Sequence, residues 1–216
     1  MDILTVKALQ ELETLLKKRE STTLEFKSRI DNPYKIARTI VAFANTSGGI
    51  ALVGINDDKT VKGISALPEI EKLQKALELI EPPLEINYEI VMYQEKRKVL
   101  IINVKESLQK PHTVLNAKNE KEVFVRADDA TVPASKQMIQ ILERFDTQPN
   151  NDYVNQPNIK KLTQFLQKNR RITVKQFAKL VNISDHRAEK TMQELVFRGY
   201  LLMLDTQRPV SYVLKK

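Results

Sequence analysis

The chain has 216 residues, of which 42% are hydrophobic and 29% are charged. This composition is typical of a globular protein with a buried core, and the length allows one sizeable domain and a smaller one. No window has the roughly 18 consecutive apolar residues that span a bilayer, and the N-terminus lacks a secretory signal, so we expect a cytoplasmic protein without a membrane partner. The absence of cysteine excludes disulfides, thiolate zinc sites and cysteine nucleophiles.

The net charge of +8 is confined to the last third of the chain. Residues 1–146 contain 22 basic and 22 acidic side chains, whereas residues 147–216 contain 13 basic and 5 acidic ones. A basic unit joined to a neutral one indicates a polyanionic partner, because neutralising phosphates releases their counterions. A charged surface that only aids solubility is the alternative.

The first part of the chain shows alternating helix and strand signals. Apolar residues at spacings of three and four predict an amphipathic helix over about residues 2–18. A short strand is expected from Leu24. Asp31 and Asn32 are the cap candidates and Pro33 a first-turn residue of the next predicted helix, which Gly48 and Gly49 end. The apolar run that follows predicts a strand buried on both faces.

The middle of the chain continues this mixture. Pro68 predicts the start of a helix that runs to about Ile80, and the apolar segments on either side of residues 94–97 predict an antiparallel hairpin. A further strand is expected at residues 123–127 and a closing helix at residues 134–145. Because helices and strands interleave without strict alternation, we expect an α+β fold, with a mixed sheet and helices on its faces.

A change in composition marks the domain boundary. The segment DTQPNNDYVNQPN contains two prolines and four asparagines, which is typical of a linker. We therefore predict a first domain at residues 1–146, a linker at residues 147–157 and a second domain at residues 158–216.

The second domain shows three predicted helices followed by two short strands around a turn. One helix begins after Thr173 and the next is capped by Ser184, with a tight turn between them, which is typical of a helix-turn-helix. The order resembles that of winged helix-turn-helix regulators. The resemblance implies a DNA-binding transcriptional regulator that acts as a homodimer, with DNA favoured over RNA. A protein–protein interaction module is the alternative.

The helix after Ser184 has one apolar face, which leaves its polar face for a ligand. Basic residues there and at nearby helix starts and strands would meet phosphates, while the N-terminal half of the helix would meet base edges. Glu189 and Glu194 weaken this interpretation slightly. The candidate nucleic-acid-binding residues are Arg170, Arg171, His186, Arg187, Lys190, Thr191, Arg198 and Arg208.

Three motifs of the first domain occur in a fixed order. They are ESTTLEFK at residues 20–27, IVAFANTSGGIALVGINDDKTVKGI at residues 40–64 and VFVRADDAT at residues 123–131. Together they resemble the Schlafen AlbA-type domain, over about residues 10–146. Members of this family are often described as DNA-binding or ATP-binding, and bacterial members often carry a C-terminal winged helix. The resemblance therefore implies a nucleic-acid partner.

The same resemblance implies an alternative function, a divalent-metal-dependent ribonuclease. Nuclease-active Schlafens use a carboxylate trio, which matches Glu20, Glu25 and Asp57 here, and Lys27 would pair with a phosphate oxygen. Such oxygen ligands hold Mg²⁺ or Mn²⁺, and the metal activates water. Residues five apart on a regular strand point to opposite faces, so Glu20 must precede the strand. Exposed or ion-paired carboxylates in a domain that only binds are the alternative, and whether the chain is an enzyme stays open.

Nucleotide and zinc sites have little support in the sequence. The chain has no GxxxxGK[ST] loop, and its Gly48–Gly49 pair precedes a strand instead of opening a helix. The two histidines, His112 and His186, have no partner at metal-ligand spacing, so we interpret both as surface residues. The resemblance places Lys110 beside His112 in one pocket.

Arg126 lies in the third motif and also matches a family residue. It is predicted to be either a phosphate contact or an ion-pair partner of Asp128 or Asp129.

Overall fold

The computed structural model describes residues 3–144, 156–204 and 209–215. Contacts divide the chain into two compact units, Met1–Pro133 and Ala134–Lys216. This boundary precedes the helix that was expected to close the first domain, so that helix belongs to the second unit. Most of the predicted linker, residues 147–155, lies outside the described residues.

The first unit is a mixed α+β structure, as the sequence predicted. Its elements in chain order are α1 (Ile3–Leu16), β1 (Leu24–Lys27), α2 (Pro33–Asn45), β2 (Gly49–Val53), α3 (Ala66–Leu77), β3 (Ile80–Glu81), β4 (Asn87–Tyr93), β5 (Arg97–Val104), β6 (Thr113–Leu115), β7 (Lys121–Glu122), β8 (Phe124–Ala127) and β9 (Ala130–Pro133).

The main sheet of the first unit has the strand order β1-β2-β5-β4. Strands β1 and β2 are parallel and α2 connects them, because parallel neighbours need a crossover. The other pairs, β2 with β5 and β5 with β4, are antiparallel, and the last is the predicted hairpin. Shorter antiparallel pairings join β3, β6 and β7, and β8 with β9.

Strand β2 is covered on both faces, as its apolar run predicted. Ala51 and Val53 belong to a core cluster that includes eight buried residues of α2 and its surroundings from Ile30 to Ala44. Leu52 points to the other face and belongs to a second cluster with Leu12 of α1. The alternation of strand side chains therefore places a core on each side of the sheet.

Helix α2 begins and ends where its sequence predicted. The Asn32 side chain accepts a hydrogen bond from the backbone amide of Lys35 at 2.8 Å, and Pro33 occupies the first turn. At the other end, the Gly48 amide donates to the Phe43 carbonyl at 2.8 Å with φ of +70°. A Cβ at Gly48 would lie 2.8 Å from the Val104 carbonyl oxygen, so only glycine fits there.

Helix α3 differs from its prediction at both ends. It begins at Ala66 instead of Pro68 and ends at Leu77, which leaves Ile80 in β3. Ile80 pairs with Val114 of β6 in an antiparallel ladder. Its partner comes from a distant part of the chain, so local periodicity alone extended the helix too far.

The second unit contains four described helices and a small antiparallel sheet with the order β10-β12-β11. Ala188, Met192, Leu195 and Val196 are buried, as their spacing predicted. Within the described residues, no helix has the length and apolar character needed to cross a membrane. The elements are α4 (Lys136–Glu143), α5 (Pro157–Lys168), β10 (Ile172–Thr173), α6 (Val174–Val181), α7 (Asp185–Phe197), β11 (Leu201–Leu204) and β12 (Ser211–Leu214).

Candidate functional site

Glu20 lies before β1, as strand geometry required. Its Oε1 accepts a hydrogen bond from the backbone amide of Phe26 at 2.7 Å. The turn between them is closed by a hydrogen bond from the Ser21 amide to the Leu24 carbonyl at 3.0 Å. Glu20 therefore holds the entry to the strand through a charge-assisted hydrogen bond to the backbone.

Glu25 lies on β1 and is paired with cations through both of its carboxylate oxygens. Oε1 accepts from the Lys27 ammonium at 2.5 Å, and Oε2 forms an ion pair with the Arg126 guanidinium. The Glu25 side chain is 13% exposed and that of Arg126 is 0% exposed. The carboxylate thus compensates a positive charge that the fold has removed from water.

Arg126 is held through both terminal nitrogens of its guanidinium group. Nη2 donates to the carbonyls of Ser21 and Asp129, each at 2.9 Å, and Nη1 also donates to the Thr131 hydroxyl at 2.9 Å. The group lies 4.9 Å from the centre of the Phe43 ring, within the range of a cation–π interaction. The sequence predicted Asp128 or Asp129 as the ion-pair partner of Arg126, whereas the structure pairs Arg126 with Glu25. Because the Arg126 side chain is buried, it is not available to contact a phosphate.

Asp57 lies beyond the end of β2, on an exposed turn. The turn is closed by the Asn56 amide, which donates to the Thr60 carbonyl at 3.0 Å, and by Asp58, whose Oδ1 accepts from the Thr60 amide at 2.9 Å. Asp57 thus lies four residues beyond the end of β2, which is at Val53.

The carboxylate trio does not fit a divalent metal in this arrangement. Glu20 holds a backbone amide, and both oxygens of Glu25 contact cations. In the part of the chain that the structure describes, no three His, Asp or Glu side chains are grouped so that they could hold a metal ion. We therefore derive no chemistry through Mg²⁺ or Mn²⁺ from these residues.

His112 is buried, so its prediction as a surface residue is wrong. The residue is 1% exposed, with Nδ1 at 2.8 Å from the Pro82 carbonyl and Nε2 at 2.7 Å from the Ser107 hydroxyl. Because a carbonyl only accepts, Nδ1 carries the proton and Nε2 accepts from Ser107. Burial lowers the pKa of His112, since the charged imidazolium loses its hydration.

The loop that precedes β6 is anchored by polar contacts instead of lining an open pocket. Asn45 donates to the carbonyls of His112 and Phe124 at 2.9 and 3.0 Å, and accepts from the His112 amide at 2.8 Å. The Lys110 side chain is 1% exposed and pairs with Glu106 at 2.6 Å. No sequence signal marked the role of Asn45, because its partners His112 and Phe124 lie 67 and 79 positions away along the chain.

Helix α7 carries four of the eight predicted nucleic-acid-binding residues. The Ser184 hydroxyl caps it by accepting from the Arg187 amide at 3.3 Å. His186, Arg187 and Lys190 are exposed, and Thr191 is half-buried. His186 is thus a surface histidine, as predicted.

The remaining predicted residues lie at the edges of this surface or beyond the description. Arg198 follows α7 and pairs with Glu194 at 2.6 Å, so each neutralises part of the other's charge. Arg170 and Arg171 are exposed in the segment between α5 and β10. Arg208 lies outside the described residues.

A groove of about 770 Å³ lies between α4 and α7 within the second unit. Arg187, Lys190 and Thr191 line one side of it, and Arg144 adds a cation at the other. Sequence reasoning missed Arg144, because α4 was assigned to the first domain. The amphipathic pattern of α4 could be recognised in the sequence, but its position beside α7 could not. The other polar side chains that line the groove are Gln137, Gln140, Gln193 and Glu194.

Comparison with solved structures gives distant matches. DIP2311 from Corynebacterium diphtheriae is 19% identical with a TM-score of 0.43, over 64% of this chain and 28% of that chain. The N-terminal domain of a "Putative ATP-dependent DNA Helicase RecG-related Protein" from Nitrosomonas europaea is 22% identical with a TM-score of 0.37, over 53% and 79%. This chain thus spans less than a third of the length of DIP2311. No curated protein matches the chain.

A family model gives the decisive comparison. The model described as Schlafen, AlbA_2 matches residues 20–135, more than half of the chain. The matched segment runs from Glu20 through the main sheet to the Arg126 strand and contains all three motifs. The chain therefore belongs to the Schlafen AlbA_2 family.

Proposed function

We propose that this chain is a DNA-binding transcriptional regulator whose second unit is a winged helix that binds duplex DNA. Membership in the Schlafen AlbA_2 family suggests nucleic-acid binding. The observation that carries the proposal is the excess of 13 basic over 5 acidic residues in residues 147–216, together with the exposed Arg187 and Lys190 of α7. Such a surface attracts a polyanion through counterion release.

The connection between α6 and α7 supports the helix-turn-helix part of the proposal. Thr173 and Gln176 form a capping box at the start of α6. Asn182 ends that helix in the left-handed conformation, with φ of 55°, and Ser184 then caps α7. Two capped helices joined by so short a turn hold α7 in a fixed direction, as a base-reading helix requires.

The charges on α7 favour one of its sides for a phosphate backbone. The side toward the groove carries Arg187, Lys190 and Glu194, of which Glu194 is paired with Arg198, and Arg144 of the neighbouring segment faces the same space. The other exposed side carries Asp185 and Glu189, which repel phosphate. A duplex that receives α7 must therefore accept α4 beside it or displace it.

The proposal is tested by fluorescence anisotropy with a labelled duplex of about 20 base pairs, titrated at several salt concentrations. We expect Arg187→Ala/Lys190→Ala to weaken binding several-fold and to reduce the salt slope by about 2, since two phosphate contacts are lost. Lys160→Ala/Lys161→Ala removes the same charge from α5 and serves as the matched control. If both double variants lose the same DNA affinity, binding depends only on the total charge of the unit, and the assignment of the binding surface to α7 is wrong.

The preference for DNA and the homodimer are separate parts of the proposal. Titration of a duplex RNA of the same sequence should give weaker binding than DNA, because α7 fits only the wide major groove of B-form DNA. Multi-angle light scattering should give twice the mass of 24.9 kDa, since paired half-sites require two recognition helices. A monomer at all concentrations ends the homodimer hypothesis.

The ribonuclease hypothesis has its own test. Labelled structured RNA is incubated with Mn²⁺ and the wild-type chain, or with Glu25→Ala or Asp57→Ala. The contacts of Glu20 and Glu25 described above lead us to expect no metal-dependent cleavage. Cleavage by the wild type that both substitutions abolish would establish the enzyme and require the carboxylates to release their present partners.

A further inference from the structure

The first unit contains a basic pocket of its own. Lys62 lies in the loop before α3, and Lys96, Arg97 and Lys98 lie at the start of β5; all four are exposed and line one cavity of about 570 Å³. None of the residues that line this basic pocket is acidic. In a unit whose sequence is close to neutral, such a local excess of one sign is not expected from composition.

The backbone holds these cations together despite their mutual repulsion. The Ile64 amide donates to the Lys98 carbonyl at 2.9 Å, and the Arg97 guanidinium donates to the Val61 carbonyl at 2.7 Å. Gly63 has a φ of +79°, and a Cβ added to it would lie 3.0 Å from the Cβ of Arg97. Glycine at this position therefore allows the loop to lie close to the strand. The loop and the strand are therefore joined, and the spacing of the cations is set before any ligand arrives.

The lysines of the basic pocket have no partner within the described residues. No hydrogen bond or ion pair joins the ammonium groups of Lys62, Lys96 or Lys98 to another described side chain, whereas Lys27, Lys72 and Lys110 of the same unit each pair with a carboxylate. Three lysines clustered without a counter-ion among the described residues raise the local positive potential. That potential favours an anion from solution.

The size and lining of the basic pocket indicate which anion fits. A cavity of about 570 Å³ is larger than one phosphate group needs, and its four cations share the lining with the apolar side chains of residues 64 and 66–68. Consecutive phosphates of a nucleic-acid strand present repeated negative charges at a fixed spacing. The start of α3 adds backbone amides, since Ser65 forms no side-chain cap there.

We propose that the basic pocket binds the phosphate backbone of a nucleic acid and gives the Schlafen AlbA_2 unit its own contact with the partner of the second unit. This inference rests on the proposed function, because it assigns a second contact to the same ligand. Two contacts in one chain strengthen binding through effective concentration. The contact reads no bases, since phosphates carry no sequence information.

The test uses the full chain and labelled DNA of about 20 nucleotides, single-stranded and duplex, in anisotropy titrations over a range of salt. Lys96→Gln/Lys98→Gln removes two cations from the basic pocket. Lys75→Gln/Lys105→Gln removes two exposed lysines from the far ends of α3 and β5 in the same unit. We expect several-fold weaker binding and a salt slope reduced by about 2 for the first pair only.

A local measurement complements the titration. Hydrogen–deuterium exchange should show slower exchange at residues 62–67 and 96–98 when DNA is added to the wild type. The proposal for the basic pocket is wrong if Lys96→Gln/Lys98→Gln binds DNA as tightly as Lys75→Gln/Lys105→Gln and the wild type shows no slower exchange at these residues. If binding is then still lost in Arg187→Ala/Lys190→Ala, the proposed function stands and only this inference fails. If the wild type binds no DNA at low salt, both fail.

Discussion

Replacing Glu25 by glutamine tests the arrangement at the centre of the candidate site. Glutamine keeps the size of the side chain but removes the negative charge that faces Arg126, whose side chain is 0% exposed. Removing one partner of a buried ion pair typically costs about 3 to 5 kcal/mol, because the other charge is left buried without compensation. Glu25 retains 13% exposure, so water screens part of the effect.

We therefore expect the free energy of unfolding of the Glu25→Gln variant to fall by about 3 kcal/mol, at the lower end of that range. For a unit of 133 residues, this corresponds to a melting temperature lower by roughly 10 °C. Glu20→Gln is the matched control. Its amide oxygen can still accept from the Phe26 amide, so its loss should be less than about 1 kcal/mol.

The measurement is urea unfolding followed by circular dichroism, in buffer that contains a chelator. A double-mutant cycle with Arg126→Met should give a coupling energy of at least about 2 kcal/mol between the two side chains. The reasoning fails if Glu25→Gln is as stable as the wild type or more stable. That result would place Glu25 among repelling carboxylates, as in an empty metal site.

Two further predictions concern the buried polar residues His112 and Asn45 of the first unit. Because burial lowers the pKa of His112 below 6.5, the unfolded state binds more protons in acid, so the free energy of unfolding should fall as pH drops below about 6.5. Urea unfolding at about pH 7.5 and pH 5.5 should show a smaller difference in the free energy of unfolding for His112→Gln than for the wild type. Equal differences in the two proteins would contradict the assignment. Asn45→Ala leaves two carbonyls and one amide without their partner, which should cost about 3 kcal/mol; a loss below about 1 kcal/mol in thermal unfolding would show that water replaces these contacts.

The element pattern of this protein followed largely from its sequence. The caps at Asn32 and Ser184, the Gly48 terminator and the β4–β5 hairpin are local features, in which neighbouring residues satisfy each other's backbone groups. The doubly buried β2 was also visible as an apolar run. Local physics fixed these elements because their partners lie within a few residues.

The sites were less accessible to sequence reasoning. The motif residues Glu20 and Glu25 were identified, but their partners were not, since Arg126 lies 101 positions from Glu25 and Asn45 lies 67 from His112. The basic pocket escaped notice for the same reason, because Lys62 and Lys98 become neighbours only when the loop before α3 joins β5.

The sequence by itself determined the family, the mixed α+β class and the uneven distribution of charge, since motifs, periodicity and composition are properties of the linear chain. Only the tertiary structure decided which charges meet. It paired Glu25 with a buried arginine, buried His112 and gathered four cations at the basic pocket. The physical reason is that electrostatic interactions depend on separation and burial in space, and neither quantity can be read from positions along the chain.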